Sequence, residues 1–357
     1  MTQSQEIVLK LIRVAVSGVA VELPAADVNW QEVFDIAIEH GIHGLCIDAF
    51  ELLTADQRPP MDFIFNWFGQ VSLQESKFEH SWNVACELSK LWGTEGVVAT
   101  MLKGRSIAQY YPHPNHRYSC DLDVFISDEK QDPGCESDWE KACRLLKGKG
   151  IELEYEVYKE VEFSYDGVYV ECHRYITPVR GNKNLLQFER YLRSLLSSDS
   201  TTFDGTALVC PPCMFTALLY VEHALGDFLR GPLTLKHIAD WMVLRKQDVD
   251  WTLFNEKCKE FGFERFLHLV DFMADMIEGK ADYELQPSSY KRAFDEIFER
   301  RKVGSHKKSW TERRVNQFFN VIKCRWKYKA FGYSSMRSYL SNVLWAHWFD
   351  KEVEGIG

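Results

Sequence analysis

The stretch RYSCDLDVFI, residues 117–126, places two aspartates one residue apart, directly before an apolar run. The run VFI is typical of a buried strand, and polar residues bound the segment on both sides. Because side chains alternate across a strand, we expect Asp121 and Asp123 on one face and Leu122 and Val124 in the core. Two carboxylates so close repel each other and raise at least one pKa unless a cation neutralises them. A hard divalent cation such as Mg²⁺ prefers such oxygen ligands.

The D-x-D spacing by itself does not identify a metal site, because acids at a strand end can also simply face water. The sequence repeats the spacing at residues 248–250, before the segment WTLFNEKCKEFG. There Asp250 predicts the N-cap of a helix and Gly262 its end, and Asn29 predicts another N-cap before WQEVFDIAIEHG. The surroundings of Asp121 therefore have to distinguish a functional pair from a structural one.

The composition is that of a folded protein with a large core. Of 357 residues, 46% are hydrophobic and 14% aromatic, which argues against a disordered chain and leaves room for two or three domains. No apolar run approaches the roughly 18 residues that a membrane span needs. The N-terminal segment carries Lys10 and Arg13 inside its apolar stretch, and it predicts an amphipathic helix rather than a signal peptide.

The ten cysteines form no recognisable framework. Scattered cysteines without an export signal predict reduced thiols and a cytoplasmic location. Cys210 and Cys213 have C-x-x-C spacing, but no second Cys/His pair follows at a distance typical of zinc sites. We therefore expect buried structural cysteines there rather than metal ligands.

The charge is unevenly distributed along the chain. The net charge is −10, yet residues 301–357 contain twelve Lys/Arg and four Asp/Glu, a local excess of eight positive charges. A solvated basic helix face that balances the acidic remainder explains this pattern. Binding of an anionic ligand, nucleic acid included, is an alternative explanation.

The order of elements predicts an α+β fold, with a small mixed-sheet core flanked by N-terminal and C-terminal helical regions. Helical periodicity dominates residues 1–95 and 211–357, and strands and helices alternate in residues 96–210. In the central part a short strand ends at Gly104, and the helix RSIAQYY stops at Pro112. The D-x-D strand follows, then a helix, then a hairpin with a turn at Asp166-Gly167.

The last strand of that hairpin carries a third carboxylate, Glu171, between the apolar residues Val170 and Cys172. If this strand lies beside the D-x-D strand, Glu171 joins the two aspartates on one face. Three such carboxylates can hold two divalent cations about 3.5–4 Å apart, an arrangement suited to phosphoryl transfer. Gly104 would let backbone N–H groups approach a phosphate without a Cβ in the way.

The segment MLKGRSIAQYYPHPNHRYSCDLDVFI, residues 101–126, resembles a family of uncharacterised bacterial nucleotidyltransferases, a branch of the DNA polymerase beta-like superfamily. The likeness extends to NWQEVFDIAIEHGI, to VYVECHRY and to LLYVEHALGDFLRGPLTLKHIADWMVL, so that it covers roughly residues 25–270. It implies that residues 96–210 form a nucleotidyltransferase-like core.

The resemblance implies a role for each matching residue. Asp121, Asp123 and Glu171 would be the metal ligands and catalytic residues, with Glu171 as third ligand or base. The cofactors would be two Mg²⁺ or Mn²⁺ ions, and the substrate an NTP. Nucleotide binding would fall to Lys103, Gly104, Arg105, Ser106 and Arg117, and binding or support of the second substrate to His173, His223, Lys236 and Asp240.

Two features depart from the family pattern. The loop continues with Arg105 where the superfamily prefers glycine or serine after Gly104, and Ser106 comes one residue late. The third carboxylate is Glu171 where close relatives carry aspartate, which moves the carboxylate by roughly 1.5 Å. These departures leave open a catalytically degenerate module of the same fold.

Several of these residues also have purely structural interpretations. His223 lies in an apolar helix and is expected to be a hydrogen-bonded core histidine. Lys236 and Asp240 are four residues apart, and simple pairing along a helix is the structural alternative for them. Because clustered carboxylates repel, replacing Asp121 or Asp123 by Asn is expected to leave the thermal midpoint unchanged or to raise it.

The favoured functional hypothesis is an enzyme that transfers a nucleoside monophosphate from an NTP to an unknown acceptor by a two-metal mechanism. A degenerate nucleotide-binding or protein-interaction module is the alternative. A metal-dependent glycosyltransferase also uses D-x-D, but would normally open with a nucleotide-binding βαβ unit, whereas this chain opens with helices.

Overall fold

The computed structural model describes residues 1–24, 28–130, 132, 134–156, 159–179, 182–299 and 322–332. The helices within them are α1 Gln3–Ser17, α2 Trp30–Glu39, α3 His43–Phe50, α4 Met61–Gly93, α5 Arg105–Ala108, α6 Asp138–Gly148, α7 Lys183–Asp199, α8 Cys213–Arg230, α9 Leu235–Leu244, α10 Trp251–Glu260, α11 Glu264–Glu278, α12 Ser288–Asp295 and α13 Arg325–Ala330. The strands are β1 Thr100–Met101, β2 Leu122–Phe125, β3 Glu154–Glu156, β4 Glu160–Tyr165, β5 Val168–His173, β6 Thr201–Thr202 and β7 Val209–Cys210.

Local capping explains where several helices begin. The Asn29 and Asp250 side chains accept hydrogen bonds from backbone N–H groups of the first turns of α2 and α10, which confirms both predicted N-caps. Thr2 closes a capping box with Gln5 at the start of α1, which confirms a helix at the N-terminus. Gly262, just after α10, has φ +83°, as expected of a residue that ends a helix.

The sheet brings the D-x-D strand beside the hairpin. Its strand order is β3-β4-β5-β2-β1-β7-β6, with β2 parallel to β5 and antiparallel to β1. The hairpin β4–β5 turns at Asp166 and Gly167, which both have positive φ, as a type I′ turn requires. The predicted turn and the mixed sheet are both confirmed.

Two hydrophobic cores lie on either side of this arrangement, and α4 reaches both. Trp67 and Val71, in its first half, belong to the core formed by the helices. Leu88 and Trp92, in its second half, pack with α6 and the strands in the core of the sheet. Helices therefore flank a small mixed sheet, which confirms the α+β class.

The helices before and after the sheet share one core. α1 contacts α9 and α11 as well as α2 and α3. The division at residues 1–95, 96–210 and 211–357 stays a prediction, and most of the basic segment 301–357 lies outside the described residues. Its described part includes α13, where Tyr328 and Phe331 are buried in the helical core, as expected of the aromatic-rich C-terminal region.

The C-x-x-C pair lies beside the loop between α5 and β2. Cys210 and Cys213 are half-buried rather than buried, and the Gln109 amide donates to Cys210 Sγ at 3.3 Å. Within the described ranges, neither cysteine belongs to a group that can hold a metal ion. The same ranges contain no helix that is long and apolar enough to cross a membrane.

The role of α4 in the sheet core can be tested with one substitution at two positions. Leu88→Ala removes a side chain with no exposed surface, so we expect it to lower the free energy of unfolding by about 2–5 kcal/mol. Leu73→Ala, on the same helix at a position that is 51% exposed, is the control and should change it by less than about 0.5 kcal/mol. Chemical unfolding of both variants measures this, and equal losses would contradict the described packing.

Candidate active site

The register of β2 and β5 places two of the predicted carboxylates side by side. Asp123 on β2 is paired with Glu171 on β5, and Phe125 is paired with His173. One potential ligand atom each from Asp123, Glu171 and His173 lies within 4.8 Å of the others. The parallel pairing of a D-x-D strand with a strand that carries glutamate creates this cluster.

Asp121 lies just before β2, next to this group but not part of it. It lines the same two clefts as Asp123. Burial and the charge of Asp123 raise the pKa of Asp121, and the ammonium of Lys103 only partly offsets them. Asp121 is therefore the carboxylate that carries the repulsion expected from the sequence.

Asp123 is in the opposite situation, because two cationic side chains contact it. Only 3% of its side chain is exposed, and its Oδ1 lies 2.7 Å from Lys103 Nζ and 3.0 Å from His173 Nε2. Burial would raise the pKa of Asp123, but Lys103 and His173 hold it well below its usual range. Asp123 is thus a buried, ionised carboxylate that depends on its partners.

His173 lies within ion-pair distance of three carboxylates, Asp123 among them. Its Nδ1 lies 2.5 Å from Glu160 Oε2, and its Nε2 lies 3.5 Å from Glu171 Oε2. Burial and the nearby Lys159 oppose protonation, but hydrogen bonds to the surrounding carboxylates raise the pKa of His173 to about 9. Of the three side chains that could hold a cation, Asp123 and Glu171 offer carboxylate oxygens, the type that Mg²⁺ and Mn²⁺ prefer, and His173 offers a ring nitrogen.

The loop between β1 and α5 runs beside these carboxylates. Gly104 has φ +56°, and a Cβ there would lie 3.1 Å from Ser119 Oγ, so both the conformation and the space favour glycine. Ser106 has no exposed surface, and its hydroxyl donates to the carbonyl of Leu102 at 2.8 Å. Ser106 therefore supports the loop from beneath, and its predicted contact with a nucleotide has no support in this geometry.

Arg117 and Asp240 form a buried ion pair that holds the loop against the C-terminal helices. Arg117 donates to both carboxylate oxygens of Asp240, at 2.7 and 2.8 Å, and to the Gly104 carbonyl at 3.1 Å. The Tyr111 hydroxyl donates to Asp240 as well, at 2.7 Å. With these contacts Arg117 lies behind the loop, so its assignment to the phosphates stays a prediction that the ion pair does not favour.

Three residues of the C-terminal helices, His223, Lys236 and Asp240, have structural interpretations that can be compared with their contacts. Asp240 pairs with Arg117, and in the described ranges it makes no ion pair within 4.0 Å with Lys236. The charges of Lys236 and Asp240 still favour each other, since Asp240 acts to raise the pKa of Lys236 and Lys236 acts to lower the pKa of Asp240. His223 is not a core residue, since 41% of its side chain is exposed where it lines a cleft. The surrounding protein and the charge of Lys103 lower the pKa of His223 to about 3, which leaves it neutral.

Two clefts open from the D-x-D carboxylates. The helix-side cleft, about 190 Å³, lies between the Gly104 loop and helices α8 and α9. The hairpin-side cleft, about 330 Å³, lies between that loop, α4 and the β4–β5 turn. Both are lined by Lys103, Gly104, Ser119, Asp121 and Asp123. Of these two clefts, the helix-side one alone is lined by Lys236, His223 and His237, and the hairpin-side one alone by Arg105, Trp82 and Tyr169.

Sequence reasoning missed Glu160, the partner of His173, although the sequence contains the information needed to find it. A two-residue turn at 166–167 pairs residue 165 with residue 168, and the same register pairs Glu160 with His173. The aromatic residues Phe78 and Trp82, which stack on Arg105, had no comparable indication, because they lie on a helix distant in sequence.

Comparison with known proteins agrees with this geometry. Residues 26–277, well over half of the chain, match the family described as "uncharacterised nucleotidyltransferase". No curated protein and no solved structure matches the chain. The protein therefore belongs to the family of uncharacterised nucleotidyltransferases.

Proposed function

We propose that the protein transfers a nucleoside monophosphate from an NTP to an acceptor, with Asp121, Asp123 and Glu171 holding divalent cations. The observation that carries this proposal is the pairing of Asp123 with Glu171 on adjacent parallel strands, beside a glycine loop and two clefts. Bound Mg²⁺ or Mn²⁺ would neutralise the triphosphate and lower the pKa of the attacking hydroxyl. A place in the DNA polymerase beta-like superfamily fits this chemistry and is part of the proposal.

We place the triphosphate in the helix-side cleft. Lys236 lines it and, among the described residues, has no carboxylate within ion-pair distance. Burial and the charge of Arg117 lower the pKa of Lys236, so an anion beside it would be stabilising. Lys103, on the shared wall of both clefts, reaches Asp123 and the space next to it. Lys236 and Lys103 are thus the cations proposed to bind phosphate oxygens.

A nucleotide-binding module without turnover is a second candidate, and one observation favours it. Lys103 Nζ already occupies a position 2.7 Å from Asp123 Oδ1, where a cation would bind. A protein that had lost metal binding would keep this ion pair permanently. Nucleotide binding combined with measurable turnover separates the enzyme from the module.

The two aspartates are expected to differ in their contribution to stability. The folded pKa of Asp121 is raised, so its ionisation opposes folding once the pH rises above its unfolded value, and Asp121→Asn should leave the thermal midpoint unchanged or higher at pH 7. Asp123→Asn removes the ion-pair partner of Lys103 and one of the carboxylates around His173, and should cost about 3–5 kcal/mol. We therefore expect at Asp121 alone the neutral effect on stability that the sequence predicts for both residues. Thermal and chemical unfolding measure the difference.

Both variants should lose the coupling between Mg²⁺ and NTP binding, measured by calorimetric titration of an NTP with and without Mg²⁺. Asp204→Asn, which changes an exposed aspartate outside both clefts, is the control and should keep it. Retention of full coupling by Asp121→Asn or Asp123→Asn would remove that residue from the proposed site.

Glu171 distinguishes the enzyme from the module. Glu171→Gln should keep NTP binding within about threefold and reduce pyrophosphate release at least 100-fold, because a general base contributes about 10²–10⁴-fold to rate. Glu171→Asp should also reduce the rate, since the shorter side chain withdraws the carboxylate from its place beside Asp123. A pyrophosphate-release assay with four NTPs and pooled hydroxyl and phosphate acceptors measures both.

Glu152→Gln, at an exposed glutamate outside both clefts, is the matched control and should release pyrophosphate at the parent rate. If the parent and all three variants bind NTP equally and none releases pyrophosphate, the module is the correct function and the enzyme proposal is wrong.

A further inference from the structure

Arg105, the residue that departs from the family pattern, stacks on two aromatic rings in the hairpin-side cleft. Its guanidinium carbon lies 4.4 Å from the ring centre of Phe78 and 4.1 Å from that of Trp82, both on α4. Cation–π stacking of this kind fixes the plane of a guanidinium and leaves its N–H donors directed outward at its edge. The two rings therefore orient Arg105 without consuming its hydrogen-bonding groups.

The same guanidinium makes no ion pair with a described carboxylate. Among the described residues, no carboxylate lies within 4.0 Å of it, although Glu79 is close enough to influence its pKa. Lys77, Lys103 and His80 line the cleft with it, and the carboxylates of Asp121 and Asp123 lie at the end that both clefts share. A partly buried guanidinium without a counter-ion is suited to bind an oxyanion in bidentate geometry.

The far wall of the cleft is closed by the hairpin. His80 Nε2 on α4 lies 2.7 Å from the backbone carbonyl oxygen of Asp166, and the ring of Tyr169 lines the cleft next to it. Gly167 and Val168, at the start of the strand that carries Glu171, complete this wall. A ligand in the cleft would lie between Arg105 and the strand of the third carboxylate.

The chemistry of the transfer requires a second substrate on this side. An acceptor hydroxyl must attack the α-phosphorus from the side opposite the leaving pyrophosphate. The helix-side and hairpin-side clefts share the D-x-D segment and diverge from it, one toward Lys236 and the other toward Arg105. With the triphosphate in the helix-side cleft, the hairpin-side cleft is left for the acceptor.

We propose that the hairpin-side cleft is the acceptor subsite, and that the acceptor is a small hydroxyl compound carrying an oxyanion, phosphate or carboxylate, which Arg105 binds. This inference rests on the proposed function. In the transfer, the acceptor oxygen forms a bond to the α-phosphorus while the bond from that phosphorus to the β-bridging oxygen breaks. Pyrophosphate leaves with the electron pair, and Glu171 takes the hydroxyl proton. Arg105 is thus assigned to the acceptor and not to the nucleotide.

The test uses three probes that differ in one group: glycerol 3-phosphate, glycerate and glycerol. Each is titrated into the full chain saturated with Mg²⁺ and a non-hydrolysable NTP analogue, and ligand-observed NMR gives the dissociation constant. We expect glycerol 3-phosphate to bind more tightly than glycerate, and glycerol not to bind. Arg105→Ala should weaken phosphate-probe binding roughly 10- to 100-fold, the loss typical of a charge-assisted pair.

Two further variants separate the loss of the guanidinium from the general effect of removing a positive charge. Arg105→Lys keeps the charge but not the planar fork, so it should recover only part of the affinity. Lys90→Ala removes an exposed cation of α4 outside both clefts and should bind all probes like the parent. Calorimetric titration of the NTP analogue should give the same dissociation constant, within about twofold, for all of these proteins.

Three results would overturn the inference. Equal binding of glycerol and glycerol 3-phosphate, or no probe binding to a nucleotide-loaded parent, excludes an oxyanion subsite while the proposed function stands. Weaker binding of the NTP analogue to Arg105→Ala, with probe binding intact, assigns Arg105 to the nucleotide. A parent that does not bind the NTP analogue removes the proposed function itself, and the acceptor subsite with it.

Discussion

The buried negative charge of Asp123 is the constraint on which the centre of this protein depends. An ionised carboxylate with 3% exposure costs several kcal/mol of desolvation unless cations compensate it. Lys103 on the loop after β1 and His173 at the end of β5 supply that compensation from two different elements. The sheet is therefore joined across β1, β2 and β5 by charge as well as by backbone hydrogen bonds. The same negative charge on Asp123 would attract a divalent cation.

A second buried pair fixes the position of the helices relative to this centre. Arg117 binds Asp240 of α9 through two hydrogen bonds and the Gly104 carbonyl through a third. A buried pair of this kind contributes little net stability but leaves an unpaired charge if either partner is removed, so it favours one arrangement over others. The Arg117–Asp240 pair thereby positions α9, which carries Lys236, relative to the D-x-D carboxylates. This position determines the shape of the helix-side cleft.

The sequence predicted local features well and long-range partners poorly. Period-2 alternation along the strand predicts that Asp123 lies off the core face. The helix caps at Asn29 and Asp250 depend only on neighbouring residues, and the turn at Asp166-Gly167 fixes the register of the hairpin. Each of these features is local, so the sequence is enough to infer it. Arg117 and Asp240 are 123 residues apart, and no local pattern marks them as partners. The prediction of a core position for His223 is wrong, because the apolar pattern of a helix does not show which of its faces lines a cleft. Arg105 departs from the expected glycine loop, and no local pattern in the sequence indicates that it stacks on Phe78 and Trp82.

The central claim is that the carboxylates of Asp121, Asp123 and Glu171 form a site for divalent cations and NTP. A crystal structure of the protein with Mn²⁺ and a non-hydrolysable NTP tests this claim most directly, because the anomalous scattering of manganese locates the ions. We expect manganese bound by oxygens of Asp123 and Glu171, and the Lys103 ammonium moved from Asp123 Oδ1 toward the triphosphate. Manganese bound elsewhere, with Lys103 Nζ still 2.7 Å from Asp123 Oδ1 in the presence of nucleotide, would contradict the claim.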